Sequence, residues 1–244
     1  MEIKKVCVIG PEKIETFIEQ HCRKAGMEVS RVEMGGDLKD LRDTDLLIDQ
    51  FCGDIHTSRK IVEIVEGIIP RKAIFASNPL FLSLTETASL FKGRDRVIGL
   101  LTPFYSGVND FVEIVIGLET SVETSQSLEK FLGEMGMTCI KSKDSAGFVL
   151  NRVLASMINE AVYVYSYGLA PMESIDQMMK LAANFPLGPF EYADEIGLDN
   201  ILNLLKLLTK ELGAKYRPCP LLIRKVEAGH LGKKSGRGFY EYGT

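Results

Sequence analysis

Residues 4–34, KKVCVIGPEKIETFIEQHCRKAGMEVSRVEM, decide the fold class. Lys4 to Gly10 is a short apolar run closed by glycine, which reads as a buried strand. Ile14, Phe17, Ile18 and Cys22 then recur at helical spacing, Gly26 closes that helix, and Met27 to Met34 returns to strand character. Glu33 stands 23 residues beyond Gly10. This strand–helix–strand skeleton is that of a dinucleotide fold, whose first turn cradles a pyrophosphate and whose acid binds a ribose hydroxyl. Gly10 and Glu33 are therefore the candidate cofactor-binding residues. The turn itself departs from G-x-G-x-x-G, because Glu12 and Glu15 stand where the second and third glycines belong. A side chain and a negative charge at Glu12 oppose the approach of an anionic pyrophosphate. The competing reading is a strand–turn–helix kept for the fold alone.

Working outward, Asp45 to Phe51 predicts a third strand and Thr57 to Ile69 a helix with Ile61, Ile64, Val65 and Ile68 on its apolar side, ended by Pro70. Ala73 to Asn78 is a fourth strand, followed by a helix from about Ser83 to Phe91. Two apolar runs come next, Val97 to Leu101 and Phe111 to Ile116, joined by a Pro/Gly/Asn-containing loop. The second run carries one charge, Glu113. An ionised carboxylate in an apolar interior must be paired, hydrogen-bonded or neutralised; the plainer alternative turns it to solvent at the rim. A helix over Glu123–Met135 and a strand over Thr138–Ser142 complete the alternation. The expectation is an α/β fold: a Rossmann-like, mostly parallel sheet domain over 1–142 followed by an all-helical domain over 143–244. In the second part, Gly147 to Gly168 is apolar on most faces and Leu198 to Leu212 carries a strong amphipathic stripe.

Composition narrows the function classes. The chain has 244 residues, 45% hydrophobic and 25% charged, with a net charge of -4. Nothing in it offers the basic stripe that a nucleic-acid partner needs. The N-terminus runs directly into a strand pattern, and no window of about 18 uncharged apolar residues occurs, so no membrane association and a cytoplasmic location are expected. The five cysteines are an odd number without C-x-x-C spacing, which indicates neither a disulfide framework nor a metal site.

The second half carries DSAGFVLNR at 144–152, INEA at 158–161, ESIDQMMKLAANFPLGPFEYADEIGLD at 173–199, and KYRPCPLL with VEAGHLGKKSGRGFYEY between 215 and 242. These closely resemble the C-terminal domain of the L-3-hydroxyacyl-CoA dehydrogenases, including the short bacterial 3-hydroxybutyryl-CoA enzymes. The resemblance implies an NAD-binding first domain, a helical second domain that commonly dimerises, and an acyl-CoA ligand. In that family a His abstracts the hydroxyl proton and a Glu orients and balances it. The family's G-M-H-F-F-N-P segment matches Gly99 to Tyr105, so Leu101 stands at the base position, and Glu113 matches the orienting Glu. The family's S-N-T-S matches Ser77-Asn78-Pro79-Leu80, which makes Ser77 and Asn78 substrate-binding candidates and leaves Leu80 in place of the second Ser. Asn151 matches the Asn that precedes Arg in the second domain, although it could instead bond to backbone near Asp144. The helical excursion that covers CoA in the family is absent between Met34 and Asp45.

Losses at the pyrophosphate turn, the CoA cover, the base and the Ser coincide, while core positions look intact. The expected function is therefore a catalytically impaired or altered family member with a binding or partner-subunit role, Glu113 and Asn151 being catalytic remnants. An active NAD-dependent oxidoreductase on a 3-hydroxyacyl-CoA or related hydroxy acid is the alternative, and a small-molecule sensor is a second. A homodimer through the helical domain is expected, because the apolar faces of 147–168 and 198–212 exceed what one small domain covers. His56 and His230 read as surface residues, and Lys233, Lys234 and Arg237 as a basic tail, solvated or meeting a phosphate.

Overall fold

The computed structural model describes residues 2–10, 17–33, 35–50, 55–77, 83–102 and 111–243. Glu12, Glu15, Asn78, Leu80 and Tyr105 lie outside them. Two compact units are present, the first running to Phe148 and the second from Val149 to the end of the chain.

In the first unit the elements are β1 (Val6–Ile9), α1 (Phe17–Lys24), β2 (Val29–Val32), β3 (Leu46–Asp49), α2 (Ile55–Val65), β4 (Ile74–Ser77), α3 (Leu84–Ala88), β5 (Val97–Leu101), β6 (Phe111–Ile116), α4 (Val122–Glu134) and β7 (Thr138–Lys143). The strands form a seven-stranded sheet in the order β2-β1-β3-β4-β5-β6-β7, parallel throughout except between β5 and β6. The expected mostly parallel sheet is thus present. From β1 the chain steps out to β2 and returns to β3 on the other side. That reversal makes the carboxyl ends of β1 and β3 the crevice in which such sheets take ligands.

Every residue of β1, β3, β4 and β5 is buried, as expected of a sheet covered on both faces and as their continuous apolar runs imply. β7, at the edge, is largely exposed, and its Ile140 is 52% exposed. Ser121 caps α4 by accepting from Thr124 N at 3.1 Å, and Ser83 caps α3 by accepting from Glu86 N at 2.9 Å. The link from β2 to β3 holds only a 3-10 turn, Lys39–Asp43, whose Leu41 is fully buried against the unit. After β7, the Asp144 carboxylate accepts from Leu84 N at 3.0 Å and Thr85 N at 2.8 Å, which ties this segment to the start of α3.

The second unit contains α5 (Leu150–Ser166), α6 (Met172–Ala183), α7 (Pro189–Ile196), α8 (Leu198–Leu212) and α9 (Pro220–Glu227), with 3-10 turns at Ala214–Tyr216 and Lys233–Ser235. Leu198, Ile201, Leu202, Leu204, Leu205 and Leu208 of α8 are all buried within this one chain. Each such side chain contributes about 1.5–3 kcal/mol when removed from water. The α8 stripe therefore needs no partner surface, contrary to the reasoning from sequence. Large apolar side chains left exposed among the described residues of this unit are Val149 before α5, Val153 of α5, Tyr167 and Leu169 after it, and Met178 and Leu181 of α6.

Candidate active site

At the carboxyl ends of β1 and β2, Gly10 N donates to Val32 O at 3.2 Å, so Gly10 and the exposed Glu33 occupy neighbouring strand ends. A side chain at position 10 would bring its Cβ to 2.9 Å from Gln50 Cβ, which explains the glycine by close approach of the end of β3. Beside it Arg31 of β2 grips Glu19 of α1 with two bonds, Nη2 to Oε2 at 2.6 Å and Nε to Oε1 at 3.2 Å. The Glu19 side chain is 1% exposed, so both charges need this paired geometry to remain inside. Composition alone gave no sign of this ion pair, because its partners lie on separate elements.

One strand further, Asp49 and Ser77 are register partners at the ends of β3 and β4, both buried, and Ser77 Oγ donates to Asp49 Oδ2 at 3.1 Å. The Ser77 hydroxyl is thus engaged with a carboxylate of its own sheet. In the antiparallel pair, Leu101 of β5 lies opposite Glu113 of β6. Leu101 is fully buried and Glu113 is 3% exposed, which excludes the solvent-facing reading of that carboxylate. Ser142 of β7 donates to Glu113 Oε1 at 2.6 Å. Ser142 lies on the neighbouring parallel strand β7, two residues beyond Ile140, the register partner of Glu113, a placement that only sheet order reveals.

In the second unit, Asn151 sits in the first turn of α5 and is 2% exposed, and neither its amide nitrogen nor its amide oxygen has a hydrogen-bond partner among the described residues. It does not bond to backbone near Asp144 in the manner sequence allowed. A buried amide left unmatched costs free energy, so it marks a place where a ligand's polar group would be favoured. The basic tail is instead paired internally. Lys233 meets Glu195, Lys234 meets Asp199 at 2.6 Å and Arg237 meets Glu241 at 3.2 Å, which leaves no reason to place a phosphate there.

Comparison with known proteins matches most of the chain to one family. Residues 10–145 match the 3-hydroxyacyl-CoA dehydrogenase NAD-binding domain, and residues 147–242 match the 3-hydroxyacyl-CoA dehydrogenase C-terminal domain. The chain belongs to the 3-hydroxyacyl-CoA dehydrogenase family. A probable 3-hydroxybutyryl-CoA dehydrogenase of Bacillus subtilis is 41% identical over 215 residues, covering 88% of this chain and 75% of that protein. The 3-hydroxybutyryl-CoA dehydrogenase of Bradyrhizobium diazoefficiens is 38% identical over 215 residues, covering 88% and 73%. Among solved structures, the (S)-3-hydroxybutyryl-CoA dehydrogenase of Ralstonia eutropha superposes with a TM-score of 0.91 at 32% identity, each chain covered fully.

Within this 3-hydroxyacyl-CoA dehydrogenase scaffold, the three histidines stand in α1 (His21), in the first turn of α2 (His56, exposed) and after α9 (His230, half-buried). The strand position opposite Glu113 holds Leu101. Four described cysteines, Cys7, Cys22, Cys139 and Cys219, are free, and burial pushes the Cys22 thiol up to about 11. No helix among the described residues is long and apolar enough to cross a membrane.

Proposed function

We propose that this family member is a catalytically impaired or altered dehydrogenase with a binding or partner-subunit role. One observation carries the reading: the residue facing Glu113 across the β5–β6 ladder is a fully buried leucine. Leucine accepts no proton, and the carboxylate that would orient a base takes a hydrogen bond from Ser142 instead. Removing a general base typically costs about 10² to 10⁴ in rate.

NAD is the cofactor this family's first domain implies. The described residues fit its ribose end, since Gly10 and Glu33 stand side by side at the strand ends. When bound, NAD supplies the hydride acceptor. Glu12 and Glu15 oppose its pyrophosphate, so NADH is expected to bind weakly, and Glu12→Gly with Glu15→Gly to bind it more tightly in fluorescence titration. The decisive measurement is NADH oxidation with acetoacetyl-CoA. Wild type and Leu101→His should stay near background, because Leu80 and the turn still fail to position substrate and cofactor. Combining Leu101→His, Leu80→Ser, Glu12→Gly and Glu15→Gly should exceed the product of the separate gains. Robust wild-type turnover would sink this reading.

The second reading, an active oxidoreductase on a 3-hydroxyacyl-CoA, draws its support from the 41% identity to a relative named as a probable 3-hydroxybutyryl-CoA dehydrogenase. Calorimetry separates the two: tight NADH binding together with acetoacetyl-CoA binding favours the enzyme, and acyl-CoA binding alone favours a sensor. A homodimer through the helical unit is part of the proposal, supported by exposed Val153, Tyr167, Leu169, Met178 and Leu181. Light scattering at micromolar concentration should report a dimer; a monomer refutes it.

A further inference from the structure

A second cluster in the helical unit has no part in the dehydrogenase reading. Tyr216 ends the 3-10 turn after α8 and is 8% exposed. Arg152, in the first turn of α5, donates from Nε to Tyr216 Oη at 2.7 Å, and its guanidinium carbon lies 5.4 Å from the ring centroid. Lys215 places its ammonium 4.9 Å from the same centroid. The turn that carries Lys215 and Tyr216 is pinned to α5: Asn159 Nδ2 donates to Arg217 O at 3.0 Å, and Cys219 N donates to Asn159 Oδ1 at 2.9 Å.

The donor count of this cluster is unbalanced. A phenol offers one proton and two lone pairs, and Arg152 donates to the oxygen, while among the described residues no acceptor meets the phenolic proton. Neither cation is in an ion pair among the described residues, unlike Lys233, Lys234 and Arg237, each of which meets a carboxylate. Two like charges held beside one aromatic ring repel, and an anion between them would remove that cost. Burial works to raise the Tyr216 phenol, yet the hydrogen bonds and charges of Arg152 and Lys215 outweigh it and hold the phenol below its usual value.

We propose that Arg152, Lys215 and Tyr216 form a binding site for a phosphate-class oxyanion, which completes the donors that this chain leaves without an acceptor. Guanidinium nitrogens, an ammonium and a phenolic O–H suit a tetrahedral anion with several acceptor oxygens. The anion is either free phosphate or a phosphate group of a larger ligand. The larger ligand is the phosphorylated carrier, an assignment that rests on the proposed acyl-CoA reading.

The test is calorimetric titration of the full-length chain with inorganic phosphate, coenzyme A and phosphate-free pantetheine, on wild type, Lys215→Gln and Tyr216→Phe. Circular dichroism melts confirm that each variant is folded. Saturable binding of phosphate, competing with coenzyme A and weakened about tenfold or more in each variant, is the expected result, since a hydrogen bond to a charged group is lost in each. Coenzyme A binding more tightly than phosphate assigns the carrier as the source; equal or weaker binding assigns the free oxyanion. Three results overturn the proposal: no saturable binding of either anion, binding that the two variants leave unchanged, or pantetheine binding as tightly as coenzyme A. An ultraviolet titration showing Tyr216 already ionised at neutral pH, a signal lost in Tyr216→Phe, also overturns it, because the missing anion would then be internal. NADH turnover is read separately, so failure of the dehydrogenase reading leaves these outcomes distinct.

Discussion

Asn151 and the pair Asp176 and Asp194 are buried to the same depth, at 2%, 2% and 1% exposure, and the helical unit treats them in opposite ways. Asp176 accepts from Phe190 N at 2.9 Å, Glu191 N at 3.2 Å and Tyr240 Oη at 2.9 Å. Asp194 accepts from Phe239 N at 2.8 Å, Tyr240 N at 2.8 Å and Tyr242 Oη at 3.0 Å. Asn151 has no partner on either amide atom among the described residues. The aspartates fasten the start of α7 and the C-terminal segment and so hold the unit together. The asparagine adds nothing to that framework, which is what a group reserved for a ligand looks like.

The comparison breaks most sharply under Asp194→Ala. Two backbone N–H groups and a phenol would lose their acceptor, each at about 1–3 kcal/mol, so a loss of about 3 kcal/mol or more is expected in urea denaturation. An unchanged midpoint would show that the clasp does not hold the unit. A smaller effect of opposite sign is expected for Asn151→Leu, which replaces an unmatched amide by an apolar side chain of similar size. Stability should rise by about 1 kcal/mol while affinity for acetoacetyl-CoA falls about tenfold. Destabilisation as large as that of Asp194→Ala would erase the distinction.

The smallest effect is in pH dependence. Burial raises Asp176 and Asp194 above the usual 3.8, outweighing the hydrogen bonds that act to lower them. Between 3.8 and their folded values the folded chain binds more protons than the unfolded one. These two groups therefore favour folding at low pH, and their contribution falls as pH rises through that window. Glu191 runs the other way. Burial acts to raise it, but Lys180 and the Gly188 N–H prevail and hold it below 4.5. Its contribution is present above 4.5 and is lost as pH falls through its folded value. Asp176→Asn with Asp194→Asn should remove the falling component in melts between pH 3 and 7, leaving a slope that only rises with pH. A profile unchanged by the double substitution would mean that other groups govern the acid behaviour.

Much of the fold was legible because its signals are local. The apolar runs at Val6–Ile9, Leu46–Asp49, Ile74–Ser77 and Val97–Leu101 are strands since a sheet covered on both faces takes continuous hydrophobic segments. The site was legible only in part. Spacing nominates Gly10 and Glu33 as candidates, but Ser142 as the partner of Glu113, and Glu19 as the partner of Arg31, are pairs that no periodicity connects.

The sequence by itself determined the order of elements and the family, because each depends on residue type at a given place along the chain. Tertiary structure alone decided which polar groups are matched. That the α8 stripe is covered within one chain, that Glu113 finds a serine, that Asp176 and Asp194 are saturated while Asn151 is not, and that Arg152 and Lys215 converge on one phenol all depend on which elements come together. Burial and hydrogen bonding are properties of that juxtaposition, and a linear pattern carries no record of it.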